Sequence, residues 1–345
     1  GEPSENQIRV QPGVIHSDLD LFLKPFNLKF APEISTSNRC MIGGMIGNNA
    51  AGSHSVIYGT TREHVVAIEA LLSNGTVVEF GPLTDEQLQA KCTLPTREGE
   101  IYRTVTGVIN KHRGQILKRY PKPEIIRRNT GYPLDVLANS QPFNSQGPPF
   151  NLAPFLCGTE GTLAFTLSAT LSLVEPPEAK GLVCIHFTTL DEAMLATPVI
   201  LKHQPAAIEL MDKRLLALTE NHIVHRRNRQ WIEGSPEAVL AVEFFGRSDL
   251  EIHKKIKTLT ASLKTQKLGY AYPVISTADT TNVWAIRKAG LGLLMGVNQP
   301  KKPVAVIEDS AVAPSDLFSY TKAISAIMAR EKINCVYYGH ASVGL

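Results

Sequence analysis

A run of glycine, alanine and asparagine from Gly43 to Gly52 constrains this chain more than any other feature of its sequence. The run reads GGMIGNNAAG. Small side chains let backbone N–H groups approach a ligand closely, and such groups can hold phosphate oxygens. The run therefore predicts a loop that binds a flavin or nucleotide, with a glycine-rich turn required only by packing as an equal alternative. Neither G-x-x-x-x-G-K-[ST] nor G-x-G-x-x-G occurs, which argues against common NTPase and nicotinamide sites.

A second small-residue loop covers Cys157–Leu163 and reads CGTEGTL. It joins an apolar segment to a predicted strand at Leu163–Val174, so the backbone can again approach a ligand closely. Two such loops in one predicted domain favour ligand binding over packing as the reason for the small residues.

Local patterns predict an α+β fold in two domains. The first part contains a strand at Ile8–Val10, helices at Asp18–Leu23 and 101–119, and a hairpin of His64–Leu72 with Thr76–Phe80 around Asn74-Gly75. Pro176-Pro177-Glu178 marks the predicted domain boundary. Beyond it, strands at Leu182–Phe187, Val239–Phe245 and Val304–Val312 alternate with helices at Leu190–His203, Leu250–Leu263 and Pro314–Glu331. This second pattern predicts an antiparallel sheet covered by helices.

Composition excludes several classes of protein. The 345 residues are 43% hydrophobic and 19% charged, which is typical of a globular chain of about two domains. With 35 Lys and Arg against 32 Asp and Glu, the net charge of +3 argues against a polyanion binder. The basic segment His222–Trp231 is therefore interpreted as a solvated helix end or loop, and no nucleic-acid partner is expected. The five cysteines form no C-x-x-C pair, which favours reduced thiols.

The order of these motifs resembles the FAD-linked oxidases that share the fold of vanillyl-alcohol oxidase and para-cresol methylhydroxylase. The resemblance is carried by Pro12-Gly13-Val14, Pro32–Ser35, Gly43-Gly44, Asn49–Gly52, Tyr58–Thr61, Asn74-Gly75, Gly131-Tyr132 and Gly158–Gly161. Past the boundary, Trp284–Arg287, Glu308-Asp309 and Gly339-His340-Ala341 resemble the substrate domain of the D-lactate, glycolate and D-2-hydroxyglutarate dehydrogenase group.

The resemblance implies a domain assignment and a non-covalently bound FAD. Residues 1–176 correspond to the C-terminal part of a two-subdomain FAD-binding domain, whose earlier pyrophosphate loop is missing here. Residues 177–345 correspond to an antiparallel-sheet-plus-helices substrate domain that is shorter than usual. The implied cofactor-binding residues are Pro32, Ser35, Gly43, Gly44, Asn48, Asn49, Gly52, Ser53, Tyr58, Gly158, Glu160 and Gly161.

The same resemblance implies two catalytic residues, Arg287 and His340. Arg287 would bind the substrate carboxylate, while His340 would accept the hydroxyl proton or ligate a divalent metal such as zinc. The motif H-A-G-D-G-N-x-H of related enzymes is replaced here by HASVGL, so the metal site is expected to be incomplete. Lys302 and Asp309 are additional substrate-binding candidates. A surface ion pair for Arg287 and a structural role for His340 are the alternatives.

The expected function is FAD-dependent oxidation of a D-2-hydroxy acid, either D-2-hydroxyglutarate or D-lactate. Electrons would pass to a quinone, an electron-transfer protein or an iron–sulfur domain. The alternatives are a catalytically silent fragment and a non-redox module that binds small ligands. A homodimer and a cytoplasmic location, with peripheral contact to a membrane as a variant, complete the expectations.

Overall fold

The chain divides into two units, each built on its own antiparallel sheet. A computed structural model describes residues 2–128, 131–298, 303–305, 307–308 and 310–345. Unit 1 comprises Gly1–Gly52, Tyr58–Pro123 and Arg128–Pro176, and unit 2 comprises Ser53–Ile57, Glu124–Arg127 and Pro177–Leu345.

Unit 1 packs helices against a four-stranded sheet in the order β1-β4-β2-β3. The strands are β1 (Gln7–Val10), β2 (Val65–Leu71), β3 (Val77–Phe80) and β4 (Phe165–Ser172). The helices are α1 (His16–Leu23), α2 (Ile42–Asn48), α3 (Ser55–Tyr58, which begins in unit 2), α4 (Asp85–Thr93), α5 (Arg97–Arg119), α6 (Leu134–Ala138) and α7 (Ala153–Leu156). The predicted hairpin is confirmed, because β2 pairs with β3 and Gly75 turns between them at φ +85°.

The glycine-rich run differs from its prediction. We expected a loop from Gly43 to Gly52, yet Ile42–Asn48 forms helix α2. The reason is the apolar face of the helix, since Ile42, Met45 and Ile46 are all buried in the core of unit 1. Their spacing of three and four residues places them on one side of a helix, and their burial outweighs the low helix propensity of the glycines.

Unit 2 contains a five-stranded antiparallel sheet in the order β8-β5-β7-β6-β9. The strands are β5 (Ala179–Phe187), β6 (Ala207–Asp212), β7 (Ala238–Gly246), β8 (Val274–Ile275) and β9 (Tyr338–His340). The helices are α8 (Leu190–Leu201), α9 (Lys213–Ala217), α10 (Asp249–Thr265), α11 (Thr280–Met295) and α12 (Leu317–Arg330). Helices α8 and α10 pack against one face of the sheet, while α9 and α11 pack against the other. The predicted antiparallel sheet covered by helices is confirmed.

Three features of unit 2 depart from the sequence patterns. The strand expected at Val304–Val312 is wrong for the described residues of that range, which form no strand. Its apolar side chains are not buried in a sheet, because Val304 and Ile307 are both exposed. Strand β6 and helix α11 were not predicted at all. Both contribute to the site described below.

The segment at His222–Trp231 forms turns and a short 3₁₀ helix over His225–Asn228. Its aromatic residue, Trp231, packs into the core of unit 2 and is not presented on the surface. No helix in the described part of the chain is both long and apolar enough to cross a membrane.

Candidate active site

The structure joins the two small-residue segments of unit 1 through backbone hydrogen bonds. Gly158 N–H donates to the carbonyl of Ile46 at 2.9 Å, and Glu160 N–H donates to that of Gly47 at 2.9 Å. The Asn48 amide adds a 3.2 Å hydrogen bond to Glu160 Oε1. Helix α2 and the loop Cys157–Leu163 therefore form one surface within unit 1.

Asn49 holds the end of helix α2 in place. It adopts a left-handed conformation at φ +52° and its side chain is fully buried. Its Oδ1 accepts hydrogen bonds from Thr60 Oγ1 and from the backbone N–H of Arg62, both at 2.9 Å. The side chain of Arg62 in turn donates to the carbonyl of Cys157 at 2.8 Å. Asn49 thus connects the helix to the second loop through protein contacts.

The glycines of this surface separate into two kinds. A Cβ on Gly43 would lie 2.6 Å from Pro12 Cβ, and one on Gly52 would lie 1.3 Å from the carbonyl oxygen of Glu33. Packing alone therefore requires glycine at both positions. A Cβ on Gly44 or Gly161 would meet no atom within 4 Å. The left-handed backbone of Gly161, at φ +69°, already favours glycine at that position. No neighbouring atom explains the small size of Gly44, and the open space beside it fits the close approach of a large cofactor such as FAD.

The other predicted cofactor residues lie in different surroundings. Pro32 is buried and Ser35 is exposed. Lys29 Nζ lies 5.3 Å from the ring centroid of Tyr58. Ser53 belongs to the short segment Ser53–Ile57 that the structure assigns to unit 2.

A buried carboxylate, Glu209, lies at the centre of the candidate site in unit 2. It is on strand β6, opposite Ala241 of β7 and opposite His340 of β9. Residues that face each other across antiparallel strands point to the same side of the sheet, so Glu209 and His340 meet. Glu209 Oε1 accepts a 2.7 Å hydrogen bond from His340 Nδ1, and its side chain is completely buried.

Arg287 reaches the same carboxylate from helix α11. Its Nε donates to Glu209 Oε2 at 2.8 Å. Its guanidinium carbon lies 5.2 Å from the ring centroid of Tyr338, which is a cation–π contact. Burial raises the pKa of Tyr338, so the phenol remains neutral. Only 12% of the Arg287 side chain is exposed, which excludes the alternative of a surface ion pair.

The charge of Glu209 follows from its two partners. Burial by itself would raise the pKa of this carboxyl group. The electrostatic attraction of His340 and Arg287, together with the hydrogen bonds from both, outweighs that effect and holds the pKa of Glu209 below its usual range. Glu209 is therefore ionised and can only accept hydrogen bonds.

Glu209 was not predicted from the sequence, and neither was a second carboxylate on this face of the sheet. Glu243 lies on β7 two residues after Ala241, so its side chain points to the same face as Glu209. Glu243 Oε2 is 2.5 Å from Nε2 of His54, which belongs to the segment Ser53–Ile57 of unit 2. The His54 ring also contacts Phe245 and Trp284. Two carboxylate–imidazole pairs thus share one face.

The two additional substrate-binding candidates, Lys302 and Asp309, lie outside the described residues.

The metal site expected at His340 can be compared with the described residues. Within the described ranges, no group of three or more His, Cys, Asp and Glu residues is suited to hold a metal ion. The metal role expected for His340 has no complete ligand set there, and no step below depends on a metal.

Two family models match the chain. Residues 2–81 match the FAD binding domain, and residues 176–344 match the C-terminal domain of FAD linked oxidases. The chain belongs to the FAD-linked oxidases. The resemblance found in the sequence is confirmed, and with it FAD as the cofactor of the family.

Characterised relatives of this FAD-linked oxidase chain cover almost all of it. The D-2-hydroxyglutarate dehydrogenase of Pantoea ananatis is 32% identical over 98% of the chain, and the chain spans 33% of that protein. The glycolate oxidase subunit GlcD of Bacillus subtilis is 24% identical over 97% of the chain, which spans 57% of that subunit. The chain therefore spans about a third of the first of these relatives and somewhat more than half of the second.

A solved structure of alkyldihydroxyacetonephosphate synthase has the same fold. It superimposes with a TM-score of 0.51 at 14% identity, covering 84% of this chain and 43% of that one. At this level of identity the similarity concerns the fold alone.

Proposed function

We propose that this chain belongs to an enzyme that oxidises a D-2-hydroxy acid to the 2-oxo acid with FAD. The observation that carries the proposal is the arrangement around Glu209, which holds Arg287 and His340 side by side on one face of the unit 2 sheet. A guanidinium and an imidazole that contact the same carboxylate suit a substrate that carries a carboxylate next to a hydroxyl group.

Each of the two side chains has a distinct part in the proposed reaction. Arg287 binds the carboxylate, because a guanidinium offers a planar pair of N–H donors that matches the two carboxylate oxygens. His340 accepts the proton of the 2-hydroxyl group at Nε2, since its Nδ1 hydrogen is directed at Glu209. Bound FAD would supply the two-electron acceptor for the hydride that leaves C2, so that C2 becomes the carbonyl carbon of the 2-oxo acid.

For the cofactor, we propose that residues 1–176 contribute to FAD binding and that residues 177–345 form the substrate domain. The proposed contacts to FAD are the residues named from the sequence: Pro32, Ser35, Gly43, Gly44, Asn48, Asn49, Gly52, Ser53, Tyr58, Gly158, Glu160 and Gly161. Gly44 is the best supported of them, because the chain leaves open space beside it and its backbone conformation does not require glycine.

The proposed substrate is D-2-hydroxyglutarate, with D-lactate as the second candidate. Relatives with these substrates in their names support the choice, and the one named for D-2-hydroxyglutarate is 32% identical to this chain. We also propose an external electron acceptor, either a quinone, an electron-transfer protein or an iron–sulfur domain. A homodimer and peripheral contact with a membrane are further proposals, which light scattering and vesicle sedimentation can test.

The test of the proposed function is a flavin titration followed by substrate reduction. The purified chain is incubated with FAD, freed of excess cofactor by gel filtration, and mixed anaerobically with each D-2-hydroxy acid or its L enantiomer. We expect the flavin absorbance near 450 nm to bleach with one D acid and with neither L acid.

Two other results would favour the alternatives. Retained flavin that no 2-hydroxy acid bleaches would point to a non-redox binding module of the same fold. Failure to retain flavin would show that these residues alone are catalytically silent, and the same titration on a chain of the relatives' length would then decide the function.

A further inference from the structure

A single carboxylate contacts both side chains that the proposed reaction uses. One carboxylate oxygen of Glu209 accepts a 2.8 Å hydrogen bond from Nε of Arg287. The other accepts a 2.7 Å hydrogen bond from Nδ1 of His340. These two residues come from helix α11 and strand β9, and Glu209 itself lies on β6. No family feature in the sequence pointed to Glu209.

We propose that Glu209 is the positioning residue of the site: it directs the substrate-facing edge of Arg287 and fixes the ring tautomer of His340. The inference rests on the proposed function, which it deepens. Glu209 is not a catalytic residue in this proposal, because it acts through its two partners and does not itself touch the substrate.

The orientation of Arg287 follows from the donors already in use. Its Nε is bonded to Glu209, and the Tyr338 ring lies against the guanidinium. Because Glu209 occupies Nε and the Tyr338 ring covers one face of the guanidinium, the two Nη groups remain for a substrate carboxylate. They bind it end-on with two parallel hydrogen bonds. A lysine lacks both the fork and the Nε donor, so it could not satisfy Glu209 and the substrate together.

The tautomer of His340 follows from the charge of its partner. An ionised carboxylate only accepts hydrogen bonds, so Nδ1 of the neutral imidazole must carry the hydrogen. Nε2 then carries the lone pair, and it is the atom that can accept the proton of a substrate hydroxyl group. Because Glu209 is fully buried, water does not compete for this hydrogen bond.

The alternative is that Glu209 only neutralises a buried arginine. In that case, replacing Glu209 by glutamine would lower stability without changing the state of the His340 ring. In our proposal, the glutamine oxygen accepts from Arg287 Nε while its amide donates to His340 Nδ1. The ring hydrogen must then move to Nε2, where it blocks acceptance of the substrate proton.

The first test reads the tautomer directly. Selective ¹⁵N labelling of histidine and long-range ¹H–¹⁵N spectra at about pH 8.5, where an ordinary imidazole is neutral, distinguish the two tautomers. His340 is assigned by the signal that disappears in His340→Gln. We expect Nδ1–H in the wild-type chain and Nε2–H in Glu209→Gln. Glu243→Gln, which alters another buried carboxylate bonded to an imidazole on the same face, should leave the His340 tautomer unchanged.

The second test separates kcat from KM in the FAD-loaded enzyme. Glu209→Gln keeps an acceptor for Arg287, so KM should change by less than about threefold while kcat falls by about 100-fold or more. Glu209→Ala removes the support of both residues, so KM should rise in addition. If Glu209 had a purely structural role, the changes in kcat and KM of the two variants would follow their loss of stability.

The outcomes are distinct from those of the proposed function. Nε2–H in the wild-type chain overturns the inference even if the enzyme oxidises a 2-hydroxy acid, and this measurement does not depend on any Glu209 variant. An unchanged His340 tautomer in folded Glu209→Gln also overturns it. Nδ1–H in the wild type that becomes Nε2–H in the variant supports the positioning role, even if no 2-hydroxy acid is oxidised and the proposed function fails.

Discussion

At the scale of single residues, Arg287 gives the most direct test of the site. We expect Arg287→Ala to reduce kcat/KM by a factor that corresponds to a loss of about 2 to 5 kcal/mol of transition-state stabilisation, because it removes a charge-assisted partner of the substrate carboxylate. Arg287→Lys should recover little of this loss, since it cannot serve Glu209 and the substrate at once. Steady-state rates with the D-2-hydroxy acid measure both effects.

The control for Arg287 is Arg330→Ala, which alters an arginine with a 72% exposed side chain that pairs with its neighbour Glu331. It should leave kcat/KM unchanged, because an exposed pair of this kind contributes little to any buried site. Wild-type kcat/KM in Arg287→Ala would remove Arg287 from the proposed substrate site.

The residues of the site were accessible from the sequence to different degrees. Arg287 and His340 were found only through the family resemblance, because no local pattern distinguishes them from other arginines and histidines. Glu209 was missed, although a signal was present: it is the one acidic residue in the apolar stretch Ala206–Met211. A charge within a buried strand requires a buried partner, but the sequence alone does not identify that partner.

At the scale of elements, helix α2 predicts a separation of stability from cofactor binding. Gly44→Ala should leave stability unchanged or raise it by up to about 1 kcal/mol, because alanine favours a helix and its Cβ meets no atom within 4 Å. If FAD occupies that open space, the same change should weaken FAD binding by about tenfold or more. Thermal unfolding and flavin fluorescence titration measure the two effects.

A matched control for Gly44 lies on helix α5. A Cβ on Gly107 would also meet no atom within 4 Å. Gly107→Ala should therefore gain the same helix stability while FAD affinity stays at the wild-type value. Equal FAD affinity in Gly44→Ala and Gly107→Ala would exclude Gly44 from the cofactor site.

We expect a substitution at Gly52, unlike one at Gly44, to lower stability. A Cβ at this position would lie 1.3 Å from the Glu33 carbonyl oxygen, so Gly52→Ala must displace the backbone of one segment. We expect a loss of about 2 kcal/mol or more in unfolding free energy, as for other overpacked sites. Urea denaturation measures it, and a wild-type midpoint would show that the two segments separate easily.

The elements themselves were predictable where one physical signal dominated. The Asn74-Gly75 hairpin and the helix ending at Arg119 follow from turn chemistry and apolar periodicity. The glycines of helix α2 favour a loop prediction, although three apolar residues of the segment lie at helical spacing. The strand expected at Val304–Val312 is wrong for the described residues of that range, since a run of apolar residues alone does not show that a segment is buried.

At the scale of the whole molecule, buried neutral histidines link both units to pH. Burial lowers the pKa of His64 in unit 1 and of His186 in unit 2. His64 Nε2 bonds to the Tyr58 carbonyl at 2.7 Å, and His186 Nε2 accepts the Glu233 N–H at 3.2 Å. Acceptance of a hydrogen bond at Nε2 suits the neutral form of His186, whereas the bond from His64 to a carbonyl favours the charged form and only partly offsets the effect of burial.

The sign of the pH effect follows from these lowered values. An unfolded histidine has a pKa near 6.5, so below about that pH the unfolded chain binds protons that the folded chain does not. Stability is then fully present above about pH 6.5 and falls as the pH drops toward the folded pKa values, by up to about 1.4 kcal/mol per pH unit for each histidine.

We therefore expect the urea midpoint of the chain to be lower at pH 5.5 than at pH 7.5. His186→Gln should reduce this difference, because the glutamine amide can donate to the Cys184 carbonyl and accept from Glu233 N–H without taking up a proton. Carboxyl groups of ordinary pKa are ionised throughout the interval from pH 5.5 to 7.5. Burial raises the pKa of Asp20 and of Asp212, and a raised carboxyl pKa changes stability in the opposite direction to the histidines as the pH falls. A pH difference of wild-type size in folded His186→Gln would show that the loss of stability arises from groups other than His186.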